Sequence, residues 1–208
     1  MAAVGDLETA INEAPNFSEA NLYHARIAIS LGRWQAANAS LHSILSLSAT
    51  DTKLQYKASL YMSKINQSMQ VLDEATSALD VSDEAFGNGA ARCEISDADR
   101  GVLRWTRTQF TDLLEVAPES VTMRLQRAKA NLLLGDTGSA KSDATWAIRL
   151  SKHNPNGFLL RGLAHLYTFD HKGALGYFKW YVLQSPMLTF SSAFRFFGTD
   201  TMQADRAQ

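Results

Sequence analysis

Pro118 and Pro186 stand 68 apart in the chain, twice 34, and Pro15 and Pro118 stand 103 apart, three times 34 plus one. Proline has no N–H to donate and pushes the residue before it away from helical backbone. Prolines on a common beat of 34 therefore mark a structural unit that stops once per beat. Other residues keep the same time. Gly162, Ala174 and Phe178 precede Pro186, and one beat earlier stand Ala128, Ala140 and Ala144. Near the N-terminus the pattern reads Ala25, Ala37 and Leu41, and one beat later it reads Ser59, Val71 and Ala75. Leu31-Gly32-Arg33 and Leu134-Gly135-Asp136, again 103 apart, read as turns between helices. Small residues recur where two helices approach closely, and larger ones where they interlock. Segments such as 21–31 and 124–134 space their apolar residues by three and four, not in alternation. The four prolines all fall at segment boundaries. The fold class is all-α.

The pattern resembles the tetratricopeptide repeat (TPR), a 34-residue helix–turn–helix unit carrying W-x2-L-G-x2-Y, A-x3-F and P. Phe158 takes the tryptophan slot, Gly162 the glycine slot, Ala174 and Phe178 the A-x3-F element, and Pro186 the close. The resemblance implies a TPR-type α-solenoid, a right-handed superhelix of antiparallel helix pairs. Residues 1–17 then form the second helix of a repeat, with Leu7, Ala10 and Pro15 in its slots. Repeats follow at 18–51, 52–85, 86–120, 121–154 and 155–188, and 189–208 begin another first helix. Three stretches result: 1–85, a half-repeat and two repeats; 86–120, a degenerate repeat with a loop; 121–208, two repeats and a C-terminal half-repeat. Gly87-Asn88-Gly89 and the acidic run from Glu94 to Asp99 interrupt the first helix of the degenerate unit, whose second helix covers about 102–116. The one-residue slip in the beat places a loop or kink near 82–99. Asn154-Pro155-Asn156-Gly157 ends one helix and starts the next.

Composition restricts the partners. At 46% hydrophobic and 20% charged the chain can bury a sizeable surface between neighbouring repeats. A net charge of −1 disfavours a nucleic-acid binder that neutralises phosphates. Arg100, Arg104 and Arg107 cluster, but Asp97, Asp99 and Asp112 flank them, as in a solvated face with internal ion pairs. Cys93 is alone, so no internal disulfide forms. The N-terminal residues lack the basic and apolar regions of a signal peptide, and no segment has the apolar run of a membrane span. A soluble chain without a membrane partner is expected.

Motifs of catalysis are missing. His24, His42, His153, His165 and His171 include no i,i+4 pair and no HExxH, and none pairs with Cys93 at zinc spacing. There is no GxGxxG, Walker A or G-x-S-x-G motif. Asp97 and Asp99 read as loop carboxylates. No enzyme, cofactor or metal site is expected.

By resemblance, the first helices of a TPR array line a concave face, with family slots 5, 9 and 12 toward the partner. Those slots hold Leu22, Arg26 and Ile29 in the first full repeat and Tyr56, Leu60 and Ser63 in the second. They hold Leu125, Lys129 and Leu132 in the fourth, and Leu159, Leu163 and Leu166 in the fifth, where Tyr167 follows. Some TPR domains clamp a chaperone's terminal carboxylate with Lys at slot 5 and Asn at slot 9. Here slot 5 holds only Leu or Tyr and slot 9 only Arg, Leu or Lys, so that clamp is absent. The groove is apolar with scattered basic residues, which suits hydrophobic or unfolded protein segments. A leucine stripe at helical spacing equally serves packing between helices.

A narrower resemblance runs through Leu113-Leu114-Glu115-Val116, Arg124-Leu125-Gln126-Arg127-Ala128, Leu134-Gly135-Asp136 and Ala140-Lys141-Ser142-Asp143. With Leu22-Tyr23-His24-Ala25-Arg26 and Leu31-Gly32-Arg33, these stretches are similar to the TPR region of the J-domain co-chaperones of the endoplasmic reticulum lumen, inhibitors of the interferon-induced eIF2α kinase. The resemblance implies an array that holds misfolded clients by hydrophobic contact. The family's J-domain His-Pro-Asp motif, signal peptide and retention tail are not in this sequence. The expectation is a fragment of such a lumenal protein, or a stand-alone TPR protein that is cytoplasmic as the chain stands. The alternative to client holding is an adaptor that docks one folded partner, such as the kinase inhibition that the resemblance implies. Phe190, Phe194, Phe196 and Phe197 crowd the terminal half-repeat. A terminal repeat normally turns a polar face to water, so self-association through these rings is expected.

Overall fold

Helix-ending turns of one kind recur in this chain and set its architecture. In the computed structural model the described residues are 2–47, 51–87 and 96–184, with side chains described over 5–47, 51–79 and 96–184. They form α1 (Ala2–Glu13), α2 (Ser18–Ser30), α3 (Trp34–Ser46), α4 (Thr52–Gly87), α5 (Asp97–Val116), α6 (Val121–Leu133), α7 (Thr137–Leu150), α8 (Pro155–Tyr167) and α9 (His171–Gln184). No strand occurs among the described residues. Cys93, Pro186, the terminal half-repeat and its four phenylalanines lie outside them.

Three helix pairs, α2–α3, α6–α7 and α8–α9, close through the same turn. At the first, the Gly32 N–H donates to Ile29 O (2.9 Å) and the Arg33 N–H to Ala28 O (2.8 Å). At the second, Gly135 donates to Leu132 O (3.0 Å) and Asp136 to Asn131 O (2.8 Å). At the third, Phe169 donates to Leu166 O (2.9 Å) and Asp170 to His165 O (3.0 Å). This is the Schellman arrangement, which requires a left-handed residue after the helix. Gly32 and Gly135 supply it with φ +70° and +83°. Phe169 supplies it with φ +58°, a conformation that costs an L-residue roughly 1–2 kcal/mol. The turn between α8 and α9 carries no glycine signal.

The expected helix pair at 52–85 is corrected: α4 is one uninterrupted helix of 36 residues. Asn66 stands where the beat requires a turn glycine, and no glycine or proline lies between Thr52 and Phe86 to end the helix. Ala58, Ile65, Ser68, Ala75 and Leu79 are buried along it at intervals of seven, three, seven and four, a stripe that needs a continuous helix. Ala58 takes the small-residue position expected of Ser59, which is exposed. Asp97 and Asp99 are likewise not in a loop but in the first turn of α5. There the Ser96 hydroxyl accepts from the Asp99 N–H (3.1 Å) and donates to its carboxylate (2.6 Å), and the acids suit the positive end of the helix dipole.

The chain divides into two compact units, one of Met1–Glu74 with Thr111–Met123, the other of Ala75–Phe110 with Arg124–Gln208. The division runs within α4, α5 and α6. In the first unit Ala25, Ala37, Leu41 and Ile44 are fully buried. Asn21 donates to the carbonyls of Pro15 (2.9 Å) and Phe17 (3.2 Å) and so fixes the entry into α2. The Glu119 N–H donates to Ser30 O (3.0 Å), and Ser120 Oγ lies 2.5 Å from where a Cβ on Gly32 would stand. In the second unit Ala128, Ala140, Ala144 and Ala164 are fully buried, and Gly162 admits the Phe178 ring. The buried Asp143 carboxylate accepts twice from Arg127 (2.8 and 2.6 Å) and lies 3.8 Å from Arg124, tying α6 to α7.

Candidate protein-binding surfaces

The first helices place the expected contact residues at different depths. Arg26, Tyr56, Leu60 and Tyr167 are exposed, the last three by 69%, 47% and 51%. Leu22, Lys129, Leu159, Leu163 and Leu166 are half-buried. Ile29, Leu125 and Leu132 are buried and offer a partner almost no surface. Leu132 joins Ala140 and Ala164 in a core cluster against which Leu160 and Leu163 pack. For Leu132 the helical spacing serves the interior of the unit.

In the first unit, α2 turns Tyr23, Arg26, Ile27 and Ser30 toward a shallow surface depression. These residues sit at i, i+3, i+4 and i+7, one face of the helix. The Arg26 guanidinium lies 5.9 Å from the centre of the Tyr23 ring, which is itself 56% exposed. Tyr56 and Leu60 stand one turn apart on α4. Tyr23 and Ile27 were not among the expected contacts, although Arg26 and Ile27 stand three and four residues after Tyr23, a usable signal.

The second unit carries more exposed aromatic surface than the beat indicated. Trp146 lies between Arg124 (5.3 Å) and Arg149 (5.4 Å). Along α8 and α9, Phe158 stacks with Trp180 (6.2 Å between centres), and Tyr177 meets both His165 (5.1 Å) and Arg161 (4.6 Å). His165 Nδ1 is 2.8 Å from Asp170 Oδ2, and Asp170 Oδ1 accepts from the Gly173 N–H (2.9 Å). That N–H first, and the His165 hydrogen bond second, hold the Asp170 carboxyl below its usual range. The Ser139 N–H does the same for Asp136, which caps α7. Burial pushes the Tyr181 hydroxyl up.

Among the described residues no group of His, Cys, Asp and Glu could hold a metal ion. No described helix is long and apolar enough to cross a membrane. No protein-family model and no curated protein matches the chain. Among solved structures it is similar to the TPR domain of P58(IPK), at a TM-score of 0.71 and 20% identity over 99% of this chain. The chain spans half the length of the one it matches there. A thermophilic TPR protein of Thermus thermophilus matches at a TM-score of 0.46 and 18% identity, over 94% of this chain and 87% of that one. The all-α architecture is thus that of a TPR-type solenoid.

Proposed function

We propose that the chain is a non-enzymatic protein-binding scaffold that holds unfolded or apolar protein segments on its first helices, as a chaperone or co-chaperone does. What supports the reading is the outward face of α4, where Tyr56 and Leu60 stand 69% and 47% exposed one turn apart. Single apolar residues scatter over any surface, but adjacent large ones mark places where another chain is received. Tyr23 and Arg26 on α2 add an exposed aromatic ring and an exposed cation. The roles of Leu22, Lys129, Leu159, Leu163, Leu166 and Tyr167 belong to the same proposal. So does placement in the endoplasmic reticulum lumen, should the chain be part of a lumenal J-domain protein.

Aggregation of a chemically denatured client, followed by light scattering, tests the reading. The wild-type chain is expected to suppress it at near-stoichiometric ratio, and Tyr56→Glu with Leu60→Glu to lose most of that effect. Equal suppression by both proteins would sink it. A second reading, an adaptor that docks one folded partner such as a kinase, draws on the guanidinium held over Tyr23, which suits a defined contact. It predicts one stoichiometric partner, lost on Arg26→Glu, and no suppression of aggregation.

A further inference from the structure

We propose that Trp146 and Arg149 on α7 form a separate docking site for an acidic segment of a partner protein. The segment places a carboxylate on the Arg149 guanidinium and an apolar side chain on the open part of the indole. That ring is 46% exposed. It stands on the second helix of the α6–α7 pair, so this site is not part of the surface that the first helices offer.

The site is built before any partner arrives. Arg149, one turn beyond Trp146 on the same helix, holds its guanidinium 5.4 Å from the ring centre. Arg124 reaches the ring from α6 at 5.3 Å and is itself tied to Asp143 (3.8 Å), so its part is to fix the indole in place. Arg149 is exposed, and among the described residues its N–H groups meet no carboxylate and no other acceptor. An arginine stacked on an aromatic ring keeps the edge of its planar fork outward, where a carboxylate can accept two hydrogen bonds. Tryptophan and arginine are also the residues in which binding energy concentrates at protein interfaces.

The surrounding charges select the partner. The helices before and after α7, α6 and α8, contain no Asp or Glu. α7 contains one, Asp143, whose side chain is 6% exposed and accepts two hydrogen bonds from Arg127. Asp136 caps the opposite end of α7, about 15 Å along the axis from Trp146. From Ala144 to Phe169 the chain has no acid at all, while Arg149, Lys152 and Arg161 are basic. Burial holds the Arg124 guanidinium below its usual range; Asp143 opposes this and Arg127 adds to it. Positive charge is thus in excess around the ring, and a carboxylate from another chain relieves the excess.

Selection of phage-displayed random dodecapeptides on the full chain tests the proposal. The enriched peptides are expected to carry Asp or Glu beside an apolar residue. The most enriched one, synthesised with a fluorescent label, should bind Arg149→Glu and Trp146→Ala about tenfold or more weakly than wild type. Exchanging the acids of the peptide for their amides should weaken it likewise. Tyr56→Glu with Leu60→Glu should bind the peptide as wild type does, which separates this site from the first helices. Should circular dichroism show Trp146→Ala unfolded, Arg149→Gln, at an exposed side chain, decides alone. The proposal is overturned by a selection that enriches nothing or enriches peptides without acids, and by equal binding to wild type and the Arg149 variants. Binding of a single-stranded oligonucleotide through Arg149 as tightly as the peptide would overturn it too.

Discussion

Gly162 and Phe178 interlock: a Cβ on the glycine would stand 2.5 Å from the Cε1 of the ring. Alanine favours a helix interior over glycine by about 1 kcal/mol, so an open site would gain from the exchange. Here the rigid ring cannot withdraw without opening the α8–α9 seam. Gly162→Ala is expected to lower stability by about 1–3 kcal/mol in urea unfolding.

Gly32 and Gly135 share a conformation but not an environment. Gly135→Ala meets nothing within 4 Å, so only the left-handed backbone resists it, at about 1 kcal/mol. Gly32→Ala meets both Oγ and Cβ of Ser120, at 2.5 and 2.8 Å, on a buried residue. It should cost a further ~1–3 kcal/mol. Two equal unfolding midpoints would contradict the close approach of Ser120 to that turn.

Asp143 gathers Arg127, Arg124 and Asn131 in the second unit. Removing one partner of such a pair leaves opposite charge partly buried and uncompensated. Asp143→Ala is expected to destabilise the chain by about 2–4 kcal/mol, discounted because both arginines keep some water. Double-mutant cycles with Arg127→Met give the coupling directly.

The depressed carboxyl of Asp170 makes stability depend on pH in a set direction. Its charged form is favoured by folding, so the stabilisation is complete above the unfolded value of about 3.9 and lost as pH falls through the lower folded value. Asp136 acts in the same sense. Melting curves between about pH 6 and pH 2.5 should show Asp170→Asn falling less steeply than wild type in acid, with the two curves converging there.

Continuity of α4 has its own measurement. Asn66 is exposed, so a substitution there disturbs little packing. Proline in a helix interior costs about 3 kcal/mol or more. Asn66→Pro should lower stability by that amount and reduce helical circular dichroism; a silent substitution would indicate a turn at 66.

What could be read beforehand depended on whether a residue's chemistry announced its role. Gly32 and Gly135 announced theirs, because glycine is the ordinary occupant of a left-handed turn. Phe169 makes the same turn with a side chain that signals a core or a strand, so nothing in its identity pointed there. The alanines at 25, 37, 128, 140 and 144 were legible because close helix approach tolerates little else. The beat itself misled at 52–85: it asked for a turn at 66, while the uninterrupted run of helix formers kept α4 whole. The groove was half legible. Leucine at helical spacing fits inward and outward faces alike, so Leu125 and Leu132 could not be told from Leu60 without the packing around them.

The three matching turns have a consequence for engineering. Their hydrogen bonds are made by backbone atoms, so the residue at the left-handed position can be exchanged without altering the turn's wiring. Space alone then decides what it can carry. The position at 32 is closed by Ser120, whereas a Cβ at 135 meets nothing within 4 Å. Residue 135 is thus a ready display site, where a chosen side chain can be mounted on a fixed scaffold for a known and modest loss of stability.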